Sequence, residues 1–95
     1  MRVHYTRAAE RDLEEIAAYT RKRWGQRQCE LYLDALQSAC EEFLPESSAA
    51  TQTVPQMPGL RRWRCWHHVI YFRDLEGSIE VVRVLHERML PESHL

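Results

Sequence analysis

Cationic and aromatic side chains that could do chemistry are concentrated in one segment, GLRRWRCWHHVIYFRD, residues 59–74. Its sixteen positions hold four arginines, two tryptophans and two histidines, whereas the chain of 95 residues has a formal charge of only −1. Histidines can transfer protons in RNA cleavage, and arginines can stabilise a phosphorane or bind carboxylates in a bidentate manner. The segment could therefore form a catalytic site, a nucleic-acid-binding ribbon or a docking surface for another protein.

The histidines are poorly spaced for acid–base catalysis. His67 and His68 are neighbours, and neighbouring side chains on a strand point to opposite faces. They are therefore not expected to transfer protons as a pair or to share a metal ion, and positions in a turn or at a rim are expected for them. His86 and Tyr71 lie further along the chain, where a structural role and a functional one both remain open.

Composition and charge exclude several classes of protein. The chain is 44% hydrophobic and 28% charged, which is ordinary for one globular domain and argues against disorder. No apolar run is long enough for a membrane span and no secretory signal is present, so a cytosolic location is expected. Cys29, Cys40 and Cys65 form no CxxC pair, which predicts buried or half-buried thiols and neither a metal site nor a cofactor.

Two helices are predicted in the first half of the chain, after a short strand in RVHY, residues 2–5. Thr6 is a suitable N-cap for the first helix, and Gly25 ends it. The second helix is expected to stop at Pro45, and the short WGQ connection predicts an antiparallel hairpin. Apolar positions at helical spacing in the first helix are Ala9, Leu13, Ile16, Ala17 and Trp24.

Strands are predicted in the second half of the chain, after a Pro-, Ser- and Thr-rich loop over residues 45–58. The apolar period changes to two after Gly59, which indicates strands near 60–65, 68–73 and 78–86. DLEG, residues 74–77, is expected to form the turn between the last two. The predicted architecture is α+β, in the order β-α-α-β-β-β, with a helical hairpin packed on a small antiparallel sheet.

Alternation along the strands predicts which side chains face the helices. The expected apolar face consists of Trp63, Cys65, Ile70, Phe72, Val82 and Val84. The opposite, basic face is expected to carry Arg62, Arg64, Tyr71, Arg73 and Arg83. One β-bulge would reverse part of this assignment. Arg83 stands among residues that favour burial, so it needs an acidic partner or a groove that keeps it hydrated.

Four segments resemble the ParE toxins of the ParE/RelE superfamily, and they occur in that family's order. They are AAERDLEEIAAYTRKRWG, LYLDALQSACE, PGLRRWRCWHHVIYFR and IEVVRVLHERM. Together they cover most of the chain, so residues 1–95 are identified as a single ParE-like toxin domain. The main departure is Trp66, where many relatives have glycine before the HVIFYR-like strand. The extra tryptophan is expected to enlarge an exposed apolar patch.

The resemblance implies the toxin of a bacterial type II toxin–antitoxin pair, blocked by a ParD-like antitoxin and acting on DNA gyrase. RelE relatives instead cut mRNA in the ribosomal A site, at sites that use lysines as well as arginines, and the only lysine here is Lys22 at a helix end. A protein-binding toxin without catalytic residues is therefore favoured, with mRNA endonuclease activity as the alternative. Direct sequence-specific DNA binding is disfavoured by the near-neutral charge. The expected contacts with target or antitoxin are Arg62, Arg64, Trp66, Tyr71, Arg73, Arg83 and His86.

Overall fold

The computed structural model describes residues 3–95 and has the predicted α+β class, with a helical hairpin on one face of a small sheet. The helices are α1 (Arg7–Trp24), α2 (Gln26–Ser38), α3 (Leu44–Ser47) and α4 (Pro91–His94), with a π-helical segment at Ala39–Phe43 and a 3-10 turn at Ser48–Ala50. The strands are β1 (Val3–Tyr5), β2 (Gln52–Thr53), β3 (Arg61–Cys65), β4 (His68–Leu75) and β5 (Ser78–His86). Arg2, which was assigned to the first strand, lies outside the described residues.

The sheet has five strands in the order β1-β5-β4-β3-β2, and it is mixed. β1 runs parallel to β5, whereas β2 to β5 pair with one another in antiparallel fashion. The prediction of a wholly antiparallel sheet was therefore wrong for β1. Alternation reports which face a side chain occupies but not the direction of a strand. The connection from β1 passes through the whole helical hairpin, which is long enough to allow parallel pairing.

The first helix begins and ends where the sequence predicted. The Thr6 side chain accepts a hydrogen bond of 3.0 Å from the Ala9 N–H and donates one of 2.6 Å to the Val82 carbonyl, so the cap also ties α1 to β5. Gly25 ends the helix at a φ of 97°, which favours glycine. Among residues 3–95, no helix is both long and apolar enough to span a bilayer.

Pro45 does not end the second helix, contrary to the prediction. The turn before it widens into the π-helical segment, where the Leu44 N–H bonds to the Ala39 carbonyl five residues back. Pro45 then stands in the first turn of α3, where its missing N–H needs no partner. The predicted loop 45–58 accordingly contains most of α3, the 3-10 turn and β2.

Apolar clusters cover both faces of the sheet, and a bulge changes part of the predicted assignment. Tyr71 pairs with Arg83 and Phe72 with Val81, so Val82 is the extra residue of β5. Val81 therefore faces the helices, and Val82 packs on the opposite side. The predicted positions of Trp63, Cys65, Ile70, Phe72 and Val84 are confirmed.

The second cluster lies under the predicted basic face. Its buried members are Val54, Leu60, Tyr71 and Leu85. Tyr71 is only 3% exposed, so it belongs to this core and cannot offer the aromatic surface expected of it. This side of the sheet is covered by the segment between β2 and β3 and by Leu95.

Candidate functional site

A groove of about 840 Å³ lies between the helical hairpin and the end of the sheet that carries the β3–β4 turn. We call it the aromatic groove, because its rim carries Tyr19 and Trp24 of α1 and Trp66 of the turn, together with Met89. The three aromatic side chains are 65%, 64% and 68% exposed. Its deeper wall includes Asp12, Thr20, Tyr32, His68, Arg83 and His86. Exposed apolar surface of this kind is typical of binding sites, which makes this groove the candidate functional site.

Trp24 was assigned to the apolar stripe of α1, but it lies on this rim and not in the core. Its indole ring lies under the Arg23 guanidinium, whose central carbon is 5.1 Å from the ring centroid. Tyr19 and Trp24 are both largely exposed, so the C-terminal part of α1 presents aromatic rings to solvent. The helical period groups apolar positions on one face of the helix, but it does not show how much of that face other elements cover.

Trp66 has a left-handed backbone, with a φ of 57°, in the two-residue turn between β3 and β4. A side chain at such a φ is strained, which explains why glycine suits this position. The turn is held from several sides. The Trp66 carbonyl accepts a hydrogen bond from Arg64 Nε at 3.0 Å, and the His67 carbonyl accepts one from the Glu87 N–H at 2.8 Å. The indole is therefore presented by a fixed turn.

Glu87 is the acidic centre beneath that turn. Its carboxylate contacts both the Arg64 guanidinium and His67 Nδ1, the latter at 3.0 Å. The hydrogen bond from His67 and the charge of Arg64 lower the pKa of Glu87. His67 is thus in a turn, as predicted, and it supports the turn that carries Trp66.

Tyr32, His68 and His86 form a compact cluster in the wall of the groove. The Tyr32 hydroxyl lies 2.6 Å from His68 Nδ1, and the rings of His68 and His86 meet edge to face with centroids 5.3 Å apart. Tyr32 also accepts a hydrogen bond from the His67 N–H, so its own proton is directed at His68. Burial, and then the charge of His86, lowers the pKa of His68 to about 4. His68 is therefore uncharged near neutral pH.

The pairing of His68 with His86 was not predicted from the sequence, in which His67 and His68 are the adjacent pair. These two are cross-strand partners in the β4–β5 register. Counting back from the Leu75–Ser78 pair would place His68 opposite Leu85, one residue away, because the bulge at Val82 shifts the register.

Arg83 has an acidic partner and also lines a groove, the two environments that its sequence context allowed, so it is not a free member of a basic face. Its Nε and Nη2 atoms lie 2.7 and 2.9 Å from the two oxygens of Asp12, a bidentate ion pair. Hydrogen bonding to Asp12 raises the pKa of Arg83. Asp12 also accepts the Val84 N–H at 2.9 Å, at a position of β5 where β1 no longer pairs. Arg83 Nη1 donates in turn to the His94 carbonyl at 2.6 Å.

Asp12 was missed as a site residue, although the sequence carries a signal for it. The buried positions of α1 are Ala9, Asp12, Ile16 and Thr20, at the three- and four-residue spacing of one helix face. A carboxylate on that face needs a cationic partner. An arginine within an apolar strand is the natural candidate.

The predicted contact residues divide between two surfaces. Trp66, Arg83 and His86 line the aromatic groove. The exposed Arg62, Arg64 and Arg73 lie on the opposite face of the sheet, since their register partners on that side include Tyr71 and Val69. Arg73 has Glu80 as a distant partner at 3.9 Å, and Arg62 donates to Gln52. Across residues 3–95, no group of three or more His, Cys, Asp or Glu side chains is placed to hold a metal ion.

This arrangement of a helical hairpin on a five-stranded mixed sheet defines a known class of fold. A chain of the solved structure "Chromosomal ParDE TA system from P. aeruginosa" matches it with a TM-score of 0.76 and 20% identity, over 90% of this chain and 95% of that one.

The sequence itself establishes the family. Residues 3–91 match the family described as "ParE toxin of type II toxin-antitoxin system, parDE". Toxin ParE1 of Mycobacterium tuberculosis is 40% identical over 83 residues, which are 86% of this chain and 85% of that protein. Toxin ParE1 of Caulobacter vibrioides is 31% identical over 90 residues, 95% of this chain and 93% of that protein. The chain belongs to the ParE toxin family.

Proposed function

We propose that this ParE-family toxin acts by binding DNA gyrase and that a ParD-like antitoxin neutralises it by occupying the aromatic groove. The observation that carries the proposal is the cluster of exposed aromatic side chains at the rim of that groove. Three large rings with so much exposed surface make little contribution to the toxin's own core. They are suited to anchor a partner, since tryptophan and tyrosine dominate the energetic centres of protein interfaces.

The chemistry of the rim indicates what the antitoxin segment contributes. Apolar side chains would fill the space between Tyr19, Trp24 and Trp66. Acidic side chains would meet Arg23, which lies over the Trp24 ring at the edge of the groove and whose planar guanidinium can bind a carboxylate in a bidentate manner. Because the β3–β4 turn is already held by Arg64 and Glu87, Trp66 loses little conformational freedom on binding, which favours affinity.

Alanine substitutions at the rim test the antitoxin site. We expect Trp24→Ala and Trp66→Ala each to weaken binding of the full-length antitoxin about 30-fold, since truncation of such an anchor costs about 2 kcal/mol. Isothermal titration calorimetry on the purified toxin measures this. Leu31→Ala is the matched control, because Leu31 is exposed on α2 but does not line the groove. Unchanged affinity of both tryptophan variants would reject this site.

Binding is favoured over catalysis as the mode of action because the polar groups in the groove are engaged with one another. His68 is uncharged and bonded to Tyr32, and Arg83 is committed to Asp12. The exposed arginines Arg62 and Arg73 are the more accessible cations for a target protein. Arg83→Glu is a poor probe of target contact, because it would also break the ion pair with Asp12.

Gyrase inhibition is tested with purified components. The toxin is expected to inhibit DNA supercoiling by gyrase in the absence of ribosomes, and the double variant Arg62→Glu/Arg73→Glu is expected to lose most of that inhibition. Circular dichroism should show that this variant is folded, since both side chains are exposed. Undiminished supercoiling in the presence of wild-type toxin would contradict the proposed target.

The Tyr32–His68–His86 cluster favours mRNA endonuclease activity as the second candidate. Two imidazoles and a phenol lie together beside a cationic arginine, which are the group types that cleavage by a 2′-hydroxyl requires. Incubation of the toxin with ribosomes programmed with mRNA distinguishes the two functions. Cuts in the A site that disappear in Tyr32→Phe and His86→Ala would establish the nuclease, whereas intact mRNA would leave gyrase as the target.

A further inference from the structure

A second groove, of about 440 Å³, opens between α1 and α2 at the end of the hairpin away from Gly25. We call it the acidic groove. Leu13, Leu33 and Leu36 form its apolar floor, and Leu36 is fully buried. The exposed carboxylates of Glu10, Glu14 and Glu41 stand around it.

The negative charge extends beyond the rim. A neighbouring hollow shares Gln37 and Glu41 with the groove and adds Asp34 and Glu42. Neither depression has a lysine or arginine among its lining residues, within the part of the chain that the structure describes.

These carboxylates have no cationic partner within residues 3–95. Within residues 3–95, Glu10, Glu14, Asp34 and Glu42 form no ion pair, and Glu41 accepts hydrogen bonds only from the neutral Tyr5 and Gln37. Glu10 and Glu14 are four residues apart on one helix face, a spacing at which like charges destabilise a helix. An apolar floor inside an acidic rim that forms no ion pairs among the described residues is complementary to a ligand that is apolar on one side and cationic at its edges.

We propose that the acidic groove binds a lysine- or arginine-bearing amphipathic helix of the antitoxin. This inference rests on the proposed function, and it adds a second docking site of opposite charge preference to the aromatic groove. A helix is the suitable occupant because the groove runs between two antiparallel helices, whose surface ridges accept a third helix. Apolar side chains at i, i+3 and i+4 would cover the three leucines, and cationic side chains would reach the rim.

Both grooves are built on the same two helices, which allows one partner chain to occupy both. On α1, Glu14 faces the acidic groove and the next residue, Glu15, lines the aromatic groove. On α2, Leu33 lines the acidic groove and the preceding residue, Tyr32, lines the aromatic groove. A partner that wraps around the hairpin would therefore place an apolar segment on one side and a basic helix on the other.

Charge reversal tests the acidic groove with the full-length antitoxin. We expect Glu10→Lys/Glu14→Lys to weaken binding at least tenfold at about 0.1 M salt, and the difference from wild type to shrink at about 0.5 M, where screening is strong. The neutral variant Glu10→Gln/Glu14→Gln should weaken binding less, in the same direction. The matched control is Glu30→Lys/Glu76→Lys, which changes the net charge equally at residues that line neither groove and should stay within threefold of wild type.

Hydrogen exchange gives a second readout. In the complex, amide exchange of residues 33–37 should slow relative to the free toxin. Wild-type affinity of both groove variants, combined with weakened binding of Trp66→Ala, would overturn this inference and leave the proposed function standing. Tighter binding of the lysine variant would also overturn it, because it would indicate an acidic occupant. Failure of the wild-type toxin to bind the antitoxin at all would reject both proposals.

Discussion

At the scale of single residues, Asp12 is a structural link that was not named from the sequence. Its carboxylate binds Arg83 with both oxygens and accepts the Val84 N–H, so it joins α1 to β5. Arg83 also donates a hydrogen bond to the carbonyl of His94. Where β1 no longer pairs with β5, the Asp12 side chain accepts the Val84 N–H, a backbone donor that would otherwise be unpaired.

Removing that carboxylate should destabilise the fold strongly. We expect Asp12→Ala to lower the free energy of unfolding by about 3 kcal/mol, because it leaves a half-buried guanidinium and a buried N–H without a partner. Urea unfolding followed by circular dichroism measures this. Glu14→Ala, an exposed acid on the same helix, should change stability by less than about 0.5 kcal/mol. A loss below about 1 kcal/mol for Asp12→Ala would show that the ion pair is not a major support of the fold.

His68 makes stability depend on pH. Its pKa is about 4 in the folded protein and 6.5 in its ordinary state, so the unfolded chain binds more protons between these two values. Stability is therefore lost as pH falls from about 6.5 to about 4. The loss should be about 1–2 kcal/mol, because solvent still reaches the half-buried ring and screens it.

The same unfolding experiment at a series of pH values tests His68. The wild-type protein should become less stable as pH is lowered through this window. His68→Gln, which cannot titrate, should show a distinctly flatter profile over the same range. Glu87, whose pKa is lowered, makes stability depend on pH only below its ordinary value of 4.5, and this contribution should be the same in both proteins. Parallel profiles of the two proteins above pH 4.5 would contradict the assignment.

At the scale of elements, the β3–β4 turn combines an unfavourable backbone with an exposed ring. Trp66 accepts a φ of 57° although nothing in the toxin's core holds its indole. Strain of this kind persists where surrounding contacts impose it, and it is common at functional sites. The contacts from Arg64 and Glu87 supply that constraint here.

Two substitutions separate the backbone of this turn from its side chain. Trp66→Gly should be more stable than Trp66→Ala by about 1 kcal/mol, because only glycine adopts a positive φ without strain. Both variants should lose the same affinity for the antitoxin, since both lack the indole. Thermal unfolding and calorimetry measure the two effects. Equal stability of the variants would argue against a left-handed residue at this position.

The π-helical segment is the element that lets the second helix continue past a proline. A proline in an α-helix clashes with the carbonyl four residues back, here that of Glu41. The wider turn at Ala39–Phe43 removes this conflict, and Leu44 remains fully buried in the core. The helical backbone therefore continues through Pro45 to Ser47.

At the scale of the whole molecule, the apolar side chains of this short chain lie in two small cores and in two open grooves. A domain of this size buries a modest share of its surface, so its own stability is limited. The grooves on either side of the helical hairpin remain available to a partner. Binding to both would cover exposed apolar area and neutralise the acidic rim in one step.

The antitoxin should therefore raise the thermal stability of the toxin substantially. A partner present at about 100 times its dissociation constant adds about 2.7 kcal/mol, which corresponds to a Tm increase of roughly 10–20 °C for a domain this small. Differential scanning fluorimetry with increasing antitoxin measures it. Trp66→Ala toxin should need a higher antitoxin concentration for the same increase. A Tm independent of antitoxin concentration would contradict a groove-filling complex.

Local features of the fold were predictable from the sequence. The Thr6 cap, the end of α1 at Gly25, the turn near Gly77 and the limits of β3 and β5 are all confirmed to within a residue or two. Each depends on residues within a few positions of one another, where capping, glycine conformation and alternation act directly. The family resemblance could be recognised for the same reason, because its motifs are short and follow one another in order.

The sequence by itself determined the order of the main helices and strands, the two-helix hairpin and the need of Arg83 for an acidic partner or a hydrated groove. Only the tertiary structure decided the parallel direction of β1, the face occupied by Val82, and the identity of that partner. Asp12 and Arg83 are 71 residues apart along the chain, and one bulge reassigns the side chains of β5. Such contacts depend on how distant elements pack together, and hydrophobic periodicity within one element carries no information about them.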